Sequence, residues 1–131
     1  MINICLQKEI IKYKFIDNKI YLLKKENFKS NENFENKHFR YIIDKNVKDF
    51  EFHNGKLILI KDKLYVNKLA YDLTYDKVYV FNDKLFLVKT NTIDIYTLDM
   101  YKISTYTVKK IIKDLLGENI LIFEDDEISN F

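Results

Sequence analysis

Short apolar runs separated by Asn, Asp and Lys organise this sequence, and their period is two rather than 3.6. The clearest stretch is 55–89. Laid over itself at an offset of 21 residues, Lys56 falls on Lys77, Asp62 on Asp83, Lys63 on Lys84 and Leu64 on Leu85, with residues of like type between them. This is a repeated β-hairpin. It predicts strands at 57–60 and 64–66, then at 78–81 and 85–88, turning at 61–63 and 82–83. Asn54-Gly55 just before it is a strong hairpin signal, because a type I′ turn needs two residues at positive φ.

The same reading extends in both directions. One or two strands are expected over 2–16, at 2–6 and at 10–16, where Lys12 and Lys14 alternate with Ile11, Tyr13 and Phe15 and mark one wet face. Further strands are expected at 20–23, 39–43, 47–53, 69–74, 93–97, 103–108 and 120–123. Residues 24–38 have no period of two and are rich in Asn and charge, which predicts a long surface loop. Val108, Ile111, Ile112, Leu115 and Leu116 recur at helical spacing, so a short C-terminal helix is expected at 108–116, with Thr107 as its cap and Gly117 as its end. Residues 124–131 begin with four acids and read as a frayed acidic tail.

Four strands, Leu57-Ile58-Leu59-Ile60, Leu64-Tyr65-Val66, Val78-Tyr79-Val80-Phe81 and Leu85-Phe86-Leu87-Val88, are apolar at every position. A sheet with one face in water alternates with polar residues, so both faces here must be covered by another sheet, by neighbouring blades or by a second subunit.

Composition supports the sheet reading. At 131 residues the chain is expected to form a single domain, 1–131, and to bury a core without disulfides or metal. Ten Tyr and ten Phe favour pleated surfaces. With no proline and only Gly55 and Gly117, turns must be made by Asn and Asp, which tolerate positive φ best after Gly. The excess of Lys, Asn, Ile, Tyr and Phe is that of an AT-rich genome, as in small open reading frames of viruses and other mobile elements, so a viral protein (a virion component) or a mobile-element protein is the expected origin. The net charge of +2 hides opposed ends: residues 1–68 carry 15 basic against 9 acidic residues, and 69–131 carry 7 against 11. Such opposition favours self-association or steers a charged partner.

Candidate chemistry is sparse. Cys5 is alone, so neither an internal disulfide nor a cysteine metal cluster is expected. His38 and His53, with Asp44, Asp49 or Glu51, would suit zinc or iron, but no ligand spacing supports a site, and no metal or cofactor is expected. Ser30, Ser104 and Ser129 lie in no nucleophile elbow, and no Gly-rich loop cradles phosphate. Carboxylate pairs such as Asp94 with Asp99, or Asp125 with Asp126, are what a highly charged surface produces by chance. The chain is therefore read as no enzyme. No segment approaches about 18 consecutive apolar residues and no secretion signal opens the chain, so no membrane partner is expected and the protein is placed inside the cell or the virion.

The repeating units Lys56-Leu57-Ile58-Leu59, Lys63-Leu64-Tyr65-Val66, Lys77-Val78-Tyr79-Val80 and Lys84-Leu85-Phe86-Leu87 resemble the inner strands of β-propeller blades. Residues 78–99 resemble two blade strands leading to a third, Ile93-Asp94-Ile95-Tyr96. The resemblance spans 55–99. It lacks the Gly-rich turns and the Trp-Asp signature of many propellers, and no functional residue carries over. Blades of about 40–45 residues would make three here, fewer than the four of the smallest closed propellers. The expectation is a mainly-β, antiparallel meander of hairpins, built as propeller-like blades or alternatively as a β-sandwich or barrel.

Function follows as a non-catalytic structural or protein-interaction module that self-associates as a homodimer or higher, with another protein as a further partner. The alternative is a nucleic-acid-binding module. In the stretch 24–40, Lys24, Lys25, Lys29, Lys37 and Arg40 interleave with Phe28, Phe34 and Phe39, the mixture of cations and stacking rings that single-strand binders use. These eight residues are the candidate partner contacts.

Overall fold

The computed structural model describes residues 10–16, 19–24, 27–31, 41–44 and 46–131, with side-chain detail at 12–14, 21–23 and 46–131. The expected strand at 2–6 lies outside the described residues. Where the sequence suggests a single domain, contacts group the chain into two compact units, residues 1–49 and 50–131.

The first unit carries one antiparallel sheet of β1 (Ile10–Ile16), β2 (Lys19–Lys24), β3 (Asn27–Asn31) and β4 (Tyr41–Asp44), in that order. Register sets Tyr13 opposite Leu22, Lys14 opposite Tyr21 and Lys12 opposite Leu23. Directly opposed residues share a face, so the two lysines lie on the face of the buried Tyr21 and Leu23, while Tyr13 is 54% exposed on the other. The wet face expected of Lys12 and Lys14 is thus reversed. The Lys12 ammonium on that face donates to the Asp49 carboxylate at 3.3 Å.

Strand β3 falls inside the span expected as a surface loop. Its Asn, Lys and Ser residues have little strand propensity of their own. Pairing on both sides, Leu23 with Phe28 and Lys29 with Ile43, holds it extended.

The second unit carries three sheets, each a run of consecutive hairpins. Strands β5 (Asp49–His53), which begins at the last residue of the first unit, β6 (Lys56–Ile60), β7 (Leu64–Val66) and β8 (Leu69–Tyr71) form one; β9 (Lys77–Phe81), β10 (Lys84–Lys89), β11 (Thr92–Thr97) and β12 (Lys102–Thr107) form the next. The third is β13 (Ile112–Leu115), β14 (Ile120–Phe123) and β15 (Ile128–Asn130). The expected turns hold: Asn54 and Gly55 have φ of 48° and 72°, Asn82 and Asp83 of 50° and 58°. Asn67 and Lys68 make a third such turn at 48° and 69°.

Two-residue turns make the sheets compact, so the described residues form four sheets where blades of conventional length allow three. The 21-residue repeat also proves to be one of hairpins rather than of sheets. It lays β6–β7, the middle strands of one sheet, on β9–β10, which open the next. The sheets themselves correspond through their first turns, Asn54 with Asn82.

The β9–β12 sheet is apolar on both faces because a sheet lies on each. Val78, Leu85, Leu87 and Tyr96 pack with Ile58, Ile60, Leu64 and Val66 of the β5–β8 sheet. Phe86, Val88, Ile93 and Ile95 pack with Ile112, Leu115, Leu121 and Phe123 of the β13–β15 sheet. Alternation along β10 sends Leu85 and Leu87 one way and Phe86 and Val88 the other.

No helix forms at 108–116. Residues 109–110 bend and β13 follows, paired to β14 with a bulge between Ile112 and Asp114. Residues three apart normally face opposite sides of a strand; the extra residue of the bulge returns Leu115 to the side of Ile112. Both are buried while Ile111 and Leu116 are exposed, so helical spacing arises without a helix. Thr107 ends β12 rather than capping a helix, and Gly117 lies in the β13–β14 connection. The expected acidic tail likewise contains β15, which pairs Leu121 with Ser129 and Ile122 with Ile128.

Candidate interaction surface

The β13–β15 sheet has two unlike faces. Ile112, Leu115, Leu121 and Phe123 fill the core. On the other face Ile122 stands opposite Ile128, and Ile120 opposite Asn130. The Leu116 amide donates to the Ile120 carbonyl at 2.9 Å, which continues the ladder and sets Leu116 beside Ile120. Leu116 is 52% exposed, Ile120 38% and Ile128 63%. Four aliphatic side chains therefore share a face that no other sheet of this unit covers. Branched aliphatics in a contiguous exposed patch mark a contact surface more often than singly scattered ones do.

The turn beside this face is acidic but locally compensated. Lys110 bonds Asp125 at 2.6 Å and also reaches Glu127; Lys113 bonds Asp126 at 2.8 Å. These hydrogen bonds raise the Lys110 and Lys113 ammonium groups above their usual value and lower the Asp125 and Glu127 carboxyls. Tyr79 donates to Asp114, and Lys77 to the Lys113 carbonyl, which ties β13 to β9.

Buried polar chemistry converges at Asp94. Its carboxylate accepts from Tyr75 Oη at 2.6 Å and Thr105 Oγ1 at 2.7 Å, with the Lys102 ammonium 3.5 Å away; Tyr75 and Tyr96 hydroxyls lie 3.3 Å apart. Burial by itself would raise the Asp94 carboxyl, but the Tyr75 and Thr105 bonds and the Lys102 charge outweigh it and hold the group below the usual aspartate value. Burial first, then the bonds to Asp94 and Tyr96, pushes the Tyr75 phenol far above its ordinary range. Every member has a partner, so the cluster is built to hold the β8–β9 connection over the core.

A groove of about 370 Å³ opens between β12 and the β13–β14 connection, with Phe86, Ile95 and Ile103 among its apolar lining and Lys84, Ser104 and Glu118 among its polar lining. His53 pairs with Asp83 at 2.6 Å, joining the first turns of two sheets. Asp99 pairs with Lys56 at 3.5 Å, so Asp94 and Asp99 serve separate contacts. Among the described residues, no three His, Cys, Asp or Glu side chains are grouped to hold a metal, and no helix is long and apolar enough to cross a membrane.

Of the candidate partner contacts, Lys24 ends β2, and Phe28 and Lys29 lie in β3, where they are opposite Asp44 and Ile43 of β4. Lys25, Phe34, Lys37, Phe39 and Arg40 lie outside the described residues, as do Cys5 and His38. Sequence reasoning missed Leu116, Ile120, Ile122 and Ile128 as surface because the expected helix absorbed the first, the strand expected at 120–123 the next two, and the expected frayed tail the last. The available signal was Ile128, an isoleucine beyond the acidic run.

No protein-family model and no curated protein matches the sequence. Solved structures do match, and they are β-propellers. Hsv2 of Kluyveromyces marxianus matches with a TM-score of 0.72 at 12% identity over 98% of this chain and 48% of its own. Hsv2 of Kluyveromyces lactis matches with 0.67 at 13% identity over 93% and 48%, and the computationally designed Ika8 protein with 0.63 at 10% over 91% and 44%. The chain thus spans about half the length of the solved structures that it matches. At this identity the likeness is one of fold: antiparallel sheets of consecutive hairpins, which within residues 50–131 pack face on face as propeller blades do.

Proposed function

We propose that this protein is a non-catalytic, self-associating interaction module, in which two copies together supply the sheets of a closed propeller. The observation that carries this reading is the combination of half-length matching with an aliphatic sheet face left uncovered at β13–β15. Propellers manage their blade faces and edges by closure, and an open blade stack with an apolar end is an aggregation hazard unless another surface covers it. The abundance of buried branched residues and the fully partnered Asp94 cluster support a scaffold role over one in reaction chemistry.

Sedimentation or light scattering tests the reading. The expected result is a concentration-dependent species of twice the 15.9 kDa chain mass. A monomer at every concentration up to the solubility limit would overturn it.

A further inference from the structure

We infer that the face carrying Leu116, Ile120, Ile122 and Ile128 is the contact surface, and that its occupant is the β1–β4 sheet of a second copy, arranged head to tail. The inference rests on the self-association proposed above and fixes which faces meet. Three observations support it.

First, both sheet junctions within residues 50–131 bury branched and aromatic residues of one sheet against those of the next. The uncovered β13–β15 face presents the same chemistry without its sheet. Second, in the β1–β4 sheet register sets the exposed Tyr13 opposite the half-buried Leu22, an apolar pair on the face away from the buried Tyr21 and Leu23.

Third, charge selects between the two possible pairings. Residues 10–44 carry eight basic and five acidic side chains, a balance of +3, whereas 109–131, with Lys109 and Lys110 counted beside the acids they pair with, carry three basic and six acidic, a balance of −3. A β13–β15 face set against its own copy would bring like charge together, which disfavours association. Set against β1–β4 of the partner, it brings opposite charge together around an apolar centre. In a two-fold dimer this contact occurs twice, since each copy supplies both faces.

Two single variants and their mixture test it, with size measured by sedimentation. Ile128→Glu and Tyr13→Lys both alter exposed positions and each adds charge of its own sheet's sign, so thermal melting by circular dichroism should show both folded. Each variant is expected to raise the dimer dissociation constant at least tenfold. Mixing them should restore heterodimer through the one junction that neither substitution touches, and raised salt should weaken the wild-type dimer. If Ile128→Glu abolishes association while Tyr13→Lys does not, and mixing rescues nothing, the like-with-like arrangement holds and the head-to-tail inference falls. If the wild type dimerises and neither variant changes its affinity, the faces are wrong although self-association stands. A monomeric wild type overturns both.

Discussion

The β9–β12 and β13–β15 sheets are neighbours with similar strands and different surroundings. The first is covered on both sides, and its second strand is buried at four successive positions, Leu85 to Val88. The second is covered on one side: along β14, Leu121 and Phe123 are buried while Ile120 is exposed and Ile122 half-buried. Ile-Leu-Ile-Phe and Leu-Phe-Leu-Val are chemically alike. Hydrophobicity tells which residues can be buried, and only the neighbouring sheet decides which are. What the uncovered face lacks is a partner rather than apolar character.

The sharpest test of that contrast lies in one strand. Leu121→Ala should cost about 2–5 kcal/mol, as deletion of a fully buried leucine does. In a protein diluted to monomer, Ile120→Ala should fall within about 0.5 kcal/mol of wild type, as surface changes do. Urea unfolding of both measures the difference, and equal losses would show that the two faces are equally buried.

Next in size is the Asp94 cluster, present in the fully covered sheet and without counterpart in the described part of the other. Tyr75→Phe removes one donor from a partly buried carboxylate and should destabilise by about 1–3 kcal/mol. The sign of its pH dependence follows from the lowered Asp94 carboxyl. A group whose folded value lies below its unfolded one adds stability above the unfolded value, and that stability is lost as pH falls through the ordinary aspartate range towards the folded value. Stability of the wild type should therefore drop below about pH 4 more steeply than that of Asp94→Asn, by thermal melting across pH. Parallel curves would remove Asp94 from the account.

A smaller effect is expected at Thr90, a β-branched residue at φ 54° in the β10–β11 turn. Thr90→Gly relieves that strain and should raise stability by about 0.5–1 kcal/mol, net of the added freedom of the unfolded chain. A lower melting temperature would mean that the Thr90 side chain contributes more than its backbone strain costs. Smallest of all is Lys110→Gln. Its contacts to Asp125 and Glu127 lie at the surface, where salt screens them, so no resolved change in melting temperature is expected at physiological ionic strength.

Much of the fold was legible in the sequence because its turns are written locally. Asn54-Gly55 and Asn82-Asp83 mark two hairpins within a few residues, and the apolar runs beside them read as strands covered on both faces, as the β9–β12 sheet is. What failed was information held by a partner strand. The β13 bulge makes the spacing of Ile112 and Leu115 look helical, and nothing within 108–116 reveals β14 as the reason. Asn27–Asn31 reads as a loop because its extended state comes from β2 and β4 on either side. The candidate surface was legible only in chemistry. Ile128 is visibly apolar, yet its exposure depends on where the core lies. Asp94 stands out as a single charge in an apolar strand, but Tyr75, 19 residues earlier, could not be assigned to it.

Within each of the four sheets every strand pairs with the next in sequence, and none crosses over. During synthesis such a chain closes its hairpins as they emerge, since short loops are quick to form and local pairing does not wait for distant residues. In the 50–131 unit each completed sheet then stands ready as a template for the one that follows.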